Sequence, residues 1–140
     1  MATVYGVQNT LAKRTTPPDM IAPNTWNGKV RCSIDVYEAN ALEAGSTIHT
    51  VIIPKGAKIL PGSCIYGDDL SADVTLAVGI VGSTGKYLAA TVFTTAGQKS
   101  EFNLMDVLGV ELTAEEEILI TTAVSAATGT IKIFVFYVVE

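Results

Sequence analysis

The chain has 140 residues, a net charge of −5, and a composition that is 49% hydrophobic and only 16% charged. This length fits one domain whose core requires neither metal ligands nor a disulfide framework, and we interpret Cys32 and Cys64 as buried thiols of a reducing compartment. The acidic balance argues against a nucleic-acid partner. No apolar run reaches the roughly 18 residues of a membrane span, and residues 1–6 do not resemble a signal peptide.

Low charge combined with a positive mean hydropathy suggests more apolar surface than a solitary soluble protein shows. The charges are also unevenly distributed. Residues 1–60 contain six basic and four acidic side chains, whereas residues 61–140 contain three basic and ten acidic ones. We therefore expect permanent protein partners, and a basic front with an acidic body would suit head-to-tail contact between neighbours.

Residues 1–28 have no sustained period of two or of 3.6, and Pro17 and Pro18 impose an extended backbone. A plain unstructured terminus is one interpretation of such a segment. However, it contains apolar and aromatic residues that disordered tails usually lack: Val4, Tyr5, Leu11, Met20, Ile21 and Trp26. We therefore predict an extended arm that is ordered by docking onto another surface.

Residues 29–140 are predicted to form a β-sandwich domain, because short β patterns are separated by turn residues throughout. The expected strands are residues 30–37, 47–53, 58–66 with a bend at Pro61 and Gly62, 73–81, 86–94, 101–104, 108–112, 117–124 and 130–139. Residues 54–57 are expected to form a turn and residues 82–85 a hairpin loop. Residues 38–45 are expected to form at most a short helical turn, and a capping-box pattern at residues 113–116 would allow one more.

About eight short strands without a long amphipathic helix exclude a βαβ architecture, since parallel strands need long crossovers. The fold class is therefore all-β, an antiparallel β-sandwich. Eight strands favour a jelly roll over a seven-stranded immunoglobulin type, although the pattern alone does not determine the strand order.

Two strands have informative faces. Residues 30–37 alternate between an apolar set that includes Ile34 and a mostly polar set. The last strand is apolar on both faces, since its second face carries Phe134, Phe136 and Val138. Either loops or a second subunit must cover that face, and we assign Phe134, Phe136 and Val138 to self-association because soluble monomers avoid such patches.

Patterns of catalytic chemistry are weak. His49 is the single histidine and has no acidic neighbour in sequence, which disfavours a metal-dependent cupin or a serine-histidine-aspartate triad. Residues 79–86 resemble a phosphate loop but have the wrong spacing, and Tyr87 replaces the Ser or Thr that would bind magnesium. Asp68, Asp69 and Asp73 are interpreted as a solvated loop, with an ion site left open. We expect no enzyme activity and no cofactor.

Several segments together resemble a known family. They are residues 5–6 (YG), 28–32 (GKVRC), 35–39 (DVYEA), 53–60 (IPKGAKIL) and 86–90 (KYLAA). The chain is similar over most of its length to the head decoration, or cement, proteins of tailed bacteriophages, in particular the jelly-roll type of Bordetella phage. The resemblance implies a dimeric virion protein, made in the host cytoplasm, that clamps major capsid protein subunits on the outer capsid surface without catalysis.

The arm and the turn at residues 54–57 match this pattern best, so the capsid contacts are predicted there. The predicted contact residues are Val4, Tyr5, Leu11, Lys13, Arg14, Trp26, Lys29, Arg31, Pro54 and Lys55. One alternative is a carbohydrate-binding jelly-roll module on a virion or cell surface, although the aromatic residues show no clustering in sequence. A cupin-type enzyme is the remaining alternative.

Overall fold

The computed structural model describes residues 29–139, which form nine β-strands and contain no helix. Within this part of the chain, therefore, no helix is long and apolar enough to cross a membrane. The strands are β1 (Val30–Leu42), β2 (Thr47–Ile53), β3 (Lys58–Ile59), β4 (Cys64–Gly67), β5 (Thr75–Ile80), β6 (Ser83–Val92), β7 (Gln98–Glu101), β8 (Glu116–Ala123) and β9 (Ala127–Val138).

The strands form two antiparallel sheets. Sheet A has the order β1-β9-β4-β7, with the two-residue β3 also pairing with β9, and sheet B has the order β2-β8-β5-β6. The first half of the chain pairs with the second half in reverse, since β1 meets β9, β2 meets β8, β4 meets β7 and β5 meets β6. A long hairpin wound into two sheets in this way is a jelly roll. The predicted antiparallel sandwich is confirmed.

The core lies between the two sheets and is built from alternate residues of each strand, as the two-residue period of a strand requires. In β9 the inward residues Ile131, Ile133 and Val135 are each at most 1% exposed. In sheet B, Leu76 and Val78 of β5 are completely buried. The strong β9 pattern therefore marks the central strand of sheet A, which is covered on both edges by β1 and β4.

The first strand is longer than predicted. Residues 38–45 were expected to form at most a helical turn, but β1 continues to Leu42 because Glu38 and Ala39 pair with Thr130 and Gly129 of β9. A bulge follows between Ala39 and Leu42, where Ala41 adopts a positive φ of 49°. Pairing with a strand about 90 residues away in sequence thus overrides the local preference.

Three further boundaries differ. Residues 108–112 do not form a strand; within the described chain their ladder contact is one isolated bridge between Glu111 and Lys58. The short strand predicted at residues 101–104 is instead β7, which ends at Glu101. No helical turn precedes β8, which starts directly at Glu116. The turn at residues 54–57 and the interruption of residues 58–66 occur as predicted.

Candidate interaction surfaces

One end of the sandwich gathers the described residues that were predicted to contact a shell. Val30 and Lys58 both pair with Val138, on opposite edges of β9, so the start of β1 and the turn that precedes β3 lie at the same end. The turn is held by the N–H of Gly56, which donates to the carbonyl of Leu112 at 2.9 Å. The chain thus brings Lys29, Arg31, Pro54 and Lys55 to one end.

The basic side chains at this end point into solvent. Lys29, Arg31 and Lys55 are exposed and make no hydrogen bond or ion pair with another described residue. Two valines that the sequence did not single out lie at the same end: Val81 is in the β5–β6 turn and Val110 precedes Glu111, which bridges to Lys58. They are 77% and 52% exposed. We call this end of the sandwich the arm end. The predicted arm residues Val4, Tyr5, Leu11, Lys13, Arg14 and Trp26 lie outside the described residues.

The opposite end of the sandwich is acidic. Its loops comprise residues 43–46, 68–74, 93–97 and 124–126, and they contain four carboxylates and no lysine or arginine. Asp68 accepts a hydrogen bond from the N–H of Thr130 at 3.1 Å, and Asp69 accepts one from the N–H of Ser71 at 3.4 Å. These carboxylates stabilise the loop backbone. Among residues 29–139, no group of three or more His, Cys, Asp or Glu side chains is placed to hold a metal ion.

The side of sheet A that faces away from the core is apolar over several strands. Residues paired across an antiparallel sheet project to the same side, and Cys32 and Ile34 pair with Phe136 and Phe134. The members of this outer face are Val30, Cys32, Ile34 and Val36 of β1; Lys132, Phe134, Phe136 and Val138 of β9; Cys64 and Tyr66 of β4; and, at the β7 edge, the ion pair of Lys99 and Glu101. We refer to it as the outer face.

The outer face is substantially exposed. Val30, Ile34 and Val36 are 61%, 59% and 54% exposed, and Phe134 and Phe136 are half-buried. Cys32 is also exposed, so the prediction of two buried thiols is confirmed for Cys64 and wrong for Cys32, whose side chain points outward from the edge strand β1. Val138 is only 4% exposed within the protomer, so it offers almost no surface to a partner. The alternation of residues 30–37 was visible in the sequence, but that pattern cannot say which face points outward. The other side of β1 carries the polar residues of the alternation. They reach solvent because β1 lies at the edge of sheet A.

An aromatic pair borders a groove at one side of the outer face. The rings of Tyr66 and Phe134 meet edge to face, with centroids 5.7 Å apart and planes at 79°. The groove has a volume of about 510 Å³ and is lined by Tyr66, Gly67, Asp68, Gly97, Thr130, Lys132 and Phe134. The two rings are 68 residues apart in sequence and meet only because β4 pairs with β9, which explains why sequence reasoning missed the cluster.

His49 has an acidic partner that its sequence neighbours did not show. Its Nδ1 lies 3.0 Å from a carboxylate oxygen of Glu117 on the adjacent strand β8. Both side chains are exposed, at 58% and 42%, and no described serine or cysteine completes a hydrogen-bonded triad with them. The pair is therefore a cross-strand contact on the surface of sheet B.

A buried polar cluster joins β6 to β8. The Tyr87 hydroxyl donates to one carboxylate oxygen of Glu116, and the Lys86 ammonium donates to the other. Tyr87 is completely buried and its ring stacks on Phe102, with centroids 5.7 Å apart. Burial, and secondly the hydrogen bond to Glu116, raise the pKa of Tyr87 above its ordinary value. Lys86, the lysine of the phosphate-loop-like segment, thus contacts a carboxylate of the protein itself.

This cluster makes a testable contribution to stability. Tyr87→Phe removes one of the two donors to a largely buried carboxylate, and we expect a loss of about 1–3 kcal/mol at neutral pH. Because the folded pKa of Tyr87 exceeds the unfolded one, the wild-type chain loses stability as the pH rises above about 10, whereas the variant lacks that contribution. Urea denaturation at pH 8 and at about pH 11 measures the free energy of unfolding of both proteins, and the difference between wild type and variant should be smaller at pH 11. A difference that stays constant would contradict this role of the Tyr87 hydroxyl.

Comparison with known proteins establishes the class of fold. No protein-family model matches the chain, and no curated protein matches it in sequence. Chains in solved phage capsid structures do match it in three dimensions. The jelly-roll sandwich described above is therefore a fold found in the capsids of bacteriophages, which confirms the resemblance to phage head proteins at the level of the fold.

Three of these structures are particularly informative. A chain of the cyanophage Pam1 capsid asymmetric unit matches with a TM-score of 0.71 and 23% identity, covering 92% of this chain and 99% of the other. A chain of the Ralstonia phage GP4 capsid matches with a TM-score of 0.64 and 24% identity over 81% and 86% of the two chains. The acid-stable capsid of Helicobacter pylori bacteriophage KHP30 contains a third, with a TM-score of 0.61 and 10% identity over 79% and 87%.

Proposed function

We propose that this chain is a capsid decoration, or cement, protein that binds the major capsid protein on the outer surface of a phage head. The observation that carries the proposal is the shared jelly-roll fold, which matches almost the entire length of a chain in the Pam1 capsid asymmetric unit. The protein is made in the host cytoplasm and functions in the virion. It acts by binding, without catalysis and without a nucleic-acid or membrane partner.

The mechanism is thermodynamic. A protein that binds only the assembled shell shifts the equilibrium against disassembly by mass action. Contacts by which one copy bridges neighbouring shell subunits reinforce one another through their high effective concentration. Homodimer formation doubles the number of shell contacts per particle, and the half-buried Phe134 and Phe136 contribute to an apolar surface for it.

The arm end is the surface we assign to the shell. Residues 1–28 join the domain at Lys29, next to the turn that contains Pro54 and Lys55, so the arm and the turn can contact one shell surface together. Val4, Tyr5, Leu11 and Trp26 would supply apolar contacts. Lys13, Arg14, Lys29, Arg31 and Lys55 would meet shell carboxylates. The arm end also carries the exposed carboxylates Glu111 and Glu115, so basic shell side chains would complement those positions.

Charge reversal at the arm end tests this assignment. We expect Lys55→Glu to weaken binding to preformed shells about tenfold, because an attractive contact becomes repulsive, and the joint change Lys13→Glu with Arg14→Glu to weaken it further. Occupancy of shells that lack the protein is measured by co-sedimentation over a concentration series. Ala126→Glu is the control: it adds a carboxylate to the exposed loop at residues 124–126, at the end opposite the arm end, and should bind normally. Unchanged occupancy for both arm-end variants would remove this surface from the mechanism.

A second candidate function, carbohydrate binding, is favoured by one observation. The groove beside Tyr66 and Phe134 combines aromatic ring surface with the polar side chains of Asp68, Thr130 and Lys132, which is a typical lining of a small-ligand site. A glycan array separates the two functions. Array binding that is lost in Tyr66→Ala, together with no binding of the wild-type chain to shells, would favour the carbohydrate module.

A further inference from the structure

The outer face has a regular arrangement of charge that the apolar pattern of the sequence does not show. Successive outward residues of β9 define rows across sheet A. Near one end, Val138 lies in a row with Val30 and the basic residue Lys58. At the other end, Thr130 lies in a row with Glu38 and Asp68, both acidic. The rows between these ends hold the exposed apolar residues, together with Lys132 and, at the β7 edge, the mutually paired Lys99 and Glu101.

Lys132 lies off the centre of the face. Its row contains Val36, Tyr66 and Lys99. Lys132 makes no hydrogen bond or ion pair with any described residue. The row two residues along the strand holds Ile34 and Phe134, and the row beyond that holds Cys32 and Phe136. The Ile34–Phe134 row is thus midway between the Lys132 row and the Phe136 row.

We propose that the occupant of this face is a second copy of the chain, packed face to face with its strands antiparallel, about a twofold axis that crosses the strands at the Ile34–Phe134 row. This inference deepens the proposed function, because it rests on the self-association assigned there. Turning the face end for end brings the Lys132 ammonium of one copy over the Phe136 ring of the other, a favourable cation–π contact. It also places the acidic row of each copy opposite the basic row of its partner.

The opposite orientation is disfavoured by the same charges. With the strands of the two copies running in the same direction about an axis along β9, Lys132 would meet Lys132 and Asp68 would meet Glu38, both of which are like-charge contacts. An interface between identical copies must complement itself under its own twofold rotation. Of these two orientations, the reversed one is the one that avoids like charges between Lys132 side chains and between the acidic rows; Glu101, which lies in the axis row, is already paired with Lys99 of its own copy at 2.8 Å.

Edge-to-edge pairing through β1 is also disfavoured. The N–H of Val36, in the middle of this edge strand, donates to the side-chain oxygen Oδ1 of Asp35 at 2.8 Å. A second β1 strand added along the edge would have to break that hydrogen bond, a device by which edge strands resist pairing. Such pairing would also leave Ile34 and Val36 in water, whereas face-to-face packing covers them.

The first test is the oligomeric state of the full-length chain without shells. We expect a dimer in sedimentation velocity, and we expect Ile34→Lys to raise the dimer dissociation constant about a hundredfold or more, because two ammonium groups meet at the axis. Ile52→Lys is the matched control, because Ile52 lies on β2, outside the outer face. Ile52 is 56% exposed and Ile34 is 59% exposed, so the two substitutions should affect the stability of the protomer to a similar extent. Ile52→Lys should leave the dimer intact.

The second test determines the orientation. In the reversed packing, Val36 of one copy faces Cys32 of the other. Packed sheets lie about 10 Å apart, which is too far for a disulfide bond between the two thiols. The experiment therefore uses a bis-maleimide cross-linker of about that length. We expect Val36→Cys to be cross-linked into covalent dimers, and the same change combined with Cys32→Ser not to be. Burial raises the pKa of the Cys64 thiol, so that thiol stays unreactive.

Each outcome decides the proposal. A wild-type chain that is a monomer or trimer, or an Ile34→Lys variant as dimeric as Ile52→Lys, would overturn the interface. Cross-linking that persists without Cys32 would overturn the reversed orientation. These measurements contain no shells, so their failure is distinct from failure of the decoration function, which the Lys55→Glu binding series tests. An Ile34→Lys monomer that still binds shells would leave decoration standing and place the dimer outside it.

Discussion

Gly79→Ala is expected to unfold the domain or to displace the β5–β6 hairpin. A Cβ atom at Gly79 would lie 2.1 Å from the carbonyl oxygen of Ser83 and 2.6 Å from the carbonyl carbon and oxygen of Thr84. These are backbone atoms of the neighbouring strand, so no rotamer change relieves the clash. The ladder has to separate locally, and we expect a loss above about 4 kcal/mol, the range reserved for severe core disruption.

The matched control is Gly85→Ala, six residues further along the same hairpin. Its nearest contact would be the Cα of Ala89 at 3.6 Å, an ordinary van der Waals distance. We therefore expect a change of at most about 1 kcal/mol. Circular dichroism during urea denaturation measures both variants. A Gly79→Ala chain that unfolds at the wild-type urea concentration would show that β6 does not approach β5 as closely as described.

This close approach also explains a misleading sequence pattern. The glycines of residues 79–86 resembled those of a phosphate loop, although their spacing was wrong, and in the structure they serve the hairpin. Ile80 pairs with Ser83, so the turn consists of Val81 and Gly82, shorter than the loop predicted at residues 82–85. Gly82 has a φ of +86°, which the turn requires and which favours glycine. A glycine-containing hairpin turn and a glycine-rich phosphate-binding loop look alike in sequence, and here the pairing of β5 with β6 distinguishes them.

The strand positions were largely predictable, because β-branched residues recur with period two and turn residues separate them. β2 was predicted at its observed bounds, and β8 and β9 to within a few residues. The misassigned segments are those whose structure is set by distant partners. The extension of β1 past Tyr37 depends on β9, and the loop at residues 108–112 is held by backbone hydrogen bonds from Gly109 and Leu112 to β3 and the adjacent turn.

The candidate surfaces were predictable only in part, for a related reason. The excess of apolar residues on both faces of β9 correctly indicated that Phe134 and Phe136 are not fully covered by the described chain. The apolar set of β1 has the same outward orientation, but a two-residue period looks identical whether a face points inward or outward. Val138 points to the same side of sheet A as Phe134 and Phe136 but is buried, since the exposure of a side chain depends on its neighbours in space.

The division of aromatic residues between core and surface leads to the second large effect. Phe93 is completely buried, and its ring lies so close to Gly67 that a Cβ there would be 2.6 Å from the Phe93 Cδ1. Its N–H donates to the carbonyl of Val74 at 2.9 Å, which fixes the loop at the acidic end. Phe93→Ala should leave a cavity that the backbone around Gly67 cannot fill, with a loss of about 3–5 kcal/mol.

Phe134→Ala provides the matched comparison, since it deletes the same atoms from the outer face. Phe134 is half-buried and contacts the Tyr66 ring, so we expect a loss of about 1–2 kcal/mol in protomer stability. Urea denaturation should be run at a concentration low enough for the chain to be monomeric, because dimer formation adds concentration-dependent stability. Equal losses for the two variants would mean that Phe134 belongs to the core of the protomer, and the outer face would then lose its central residue as an interaction surface. A large loss for Phe93→Ala alone would separate the residues that hold the sandwich together from those left available to a partner.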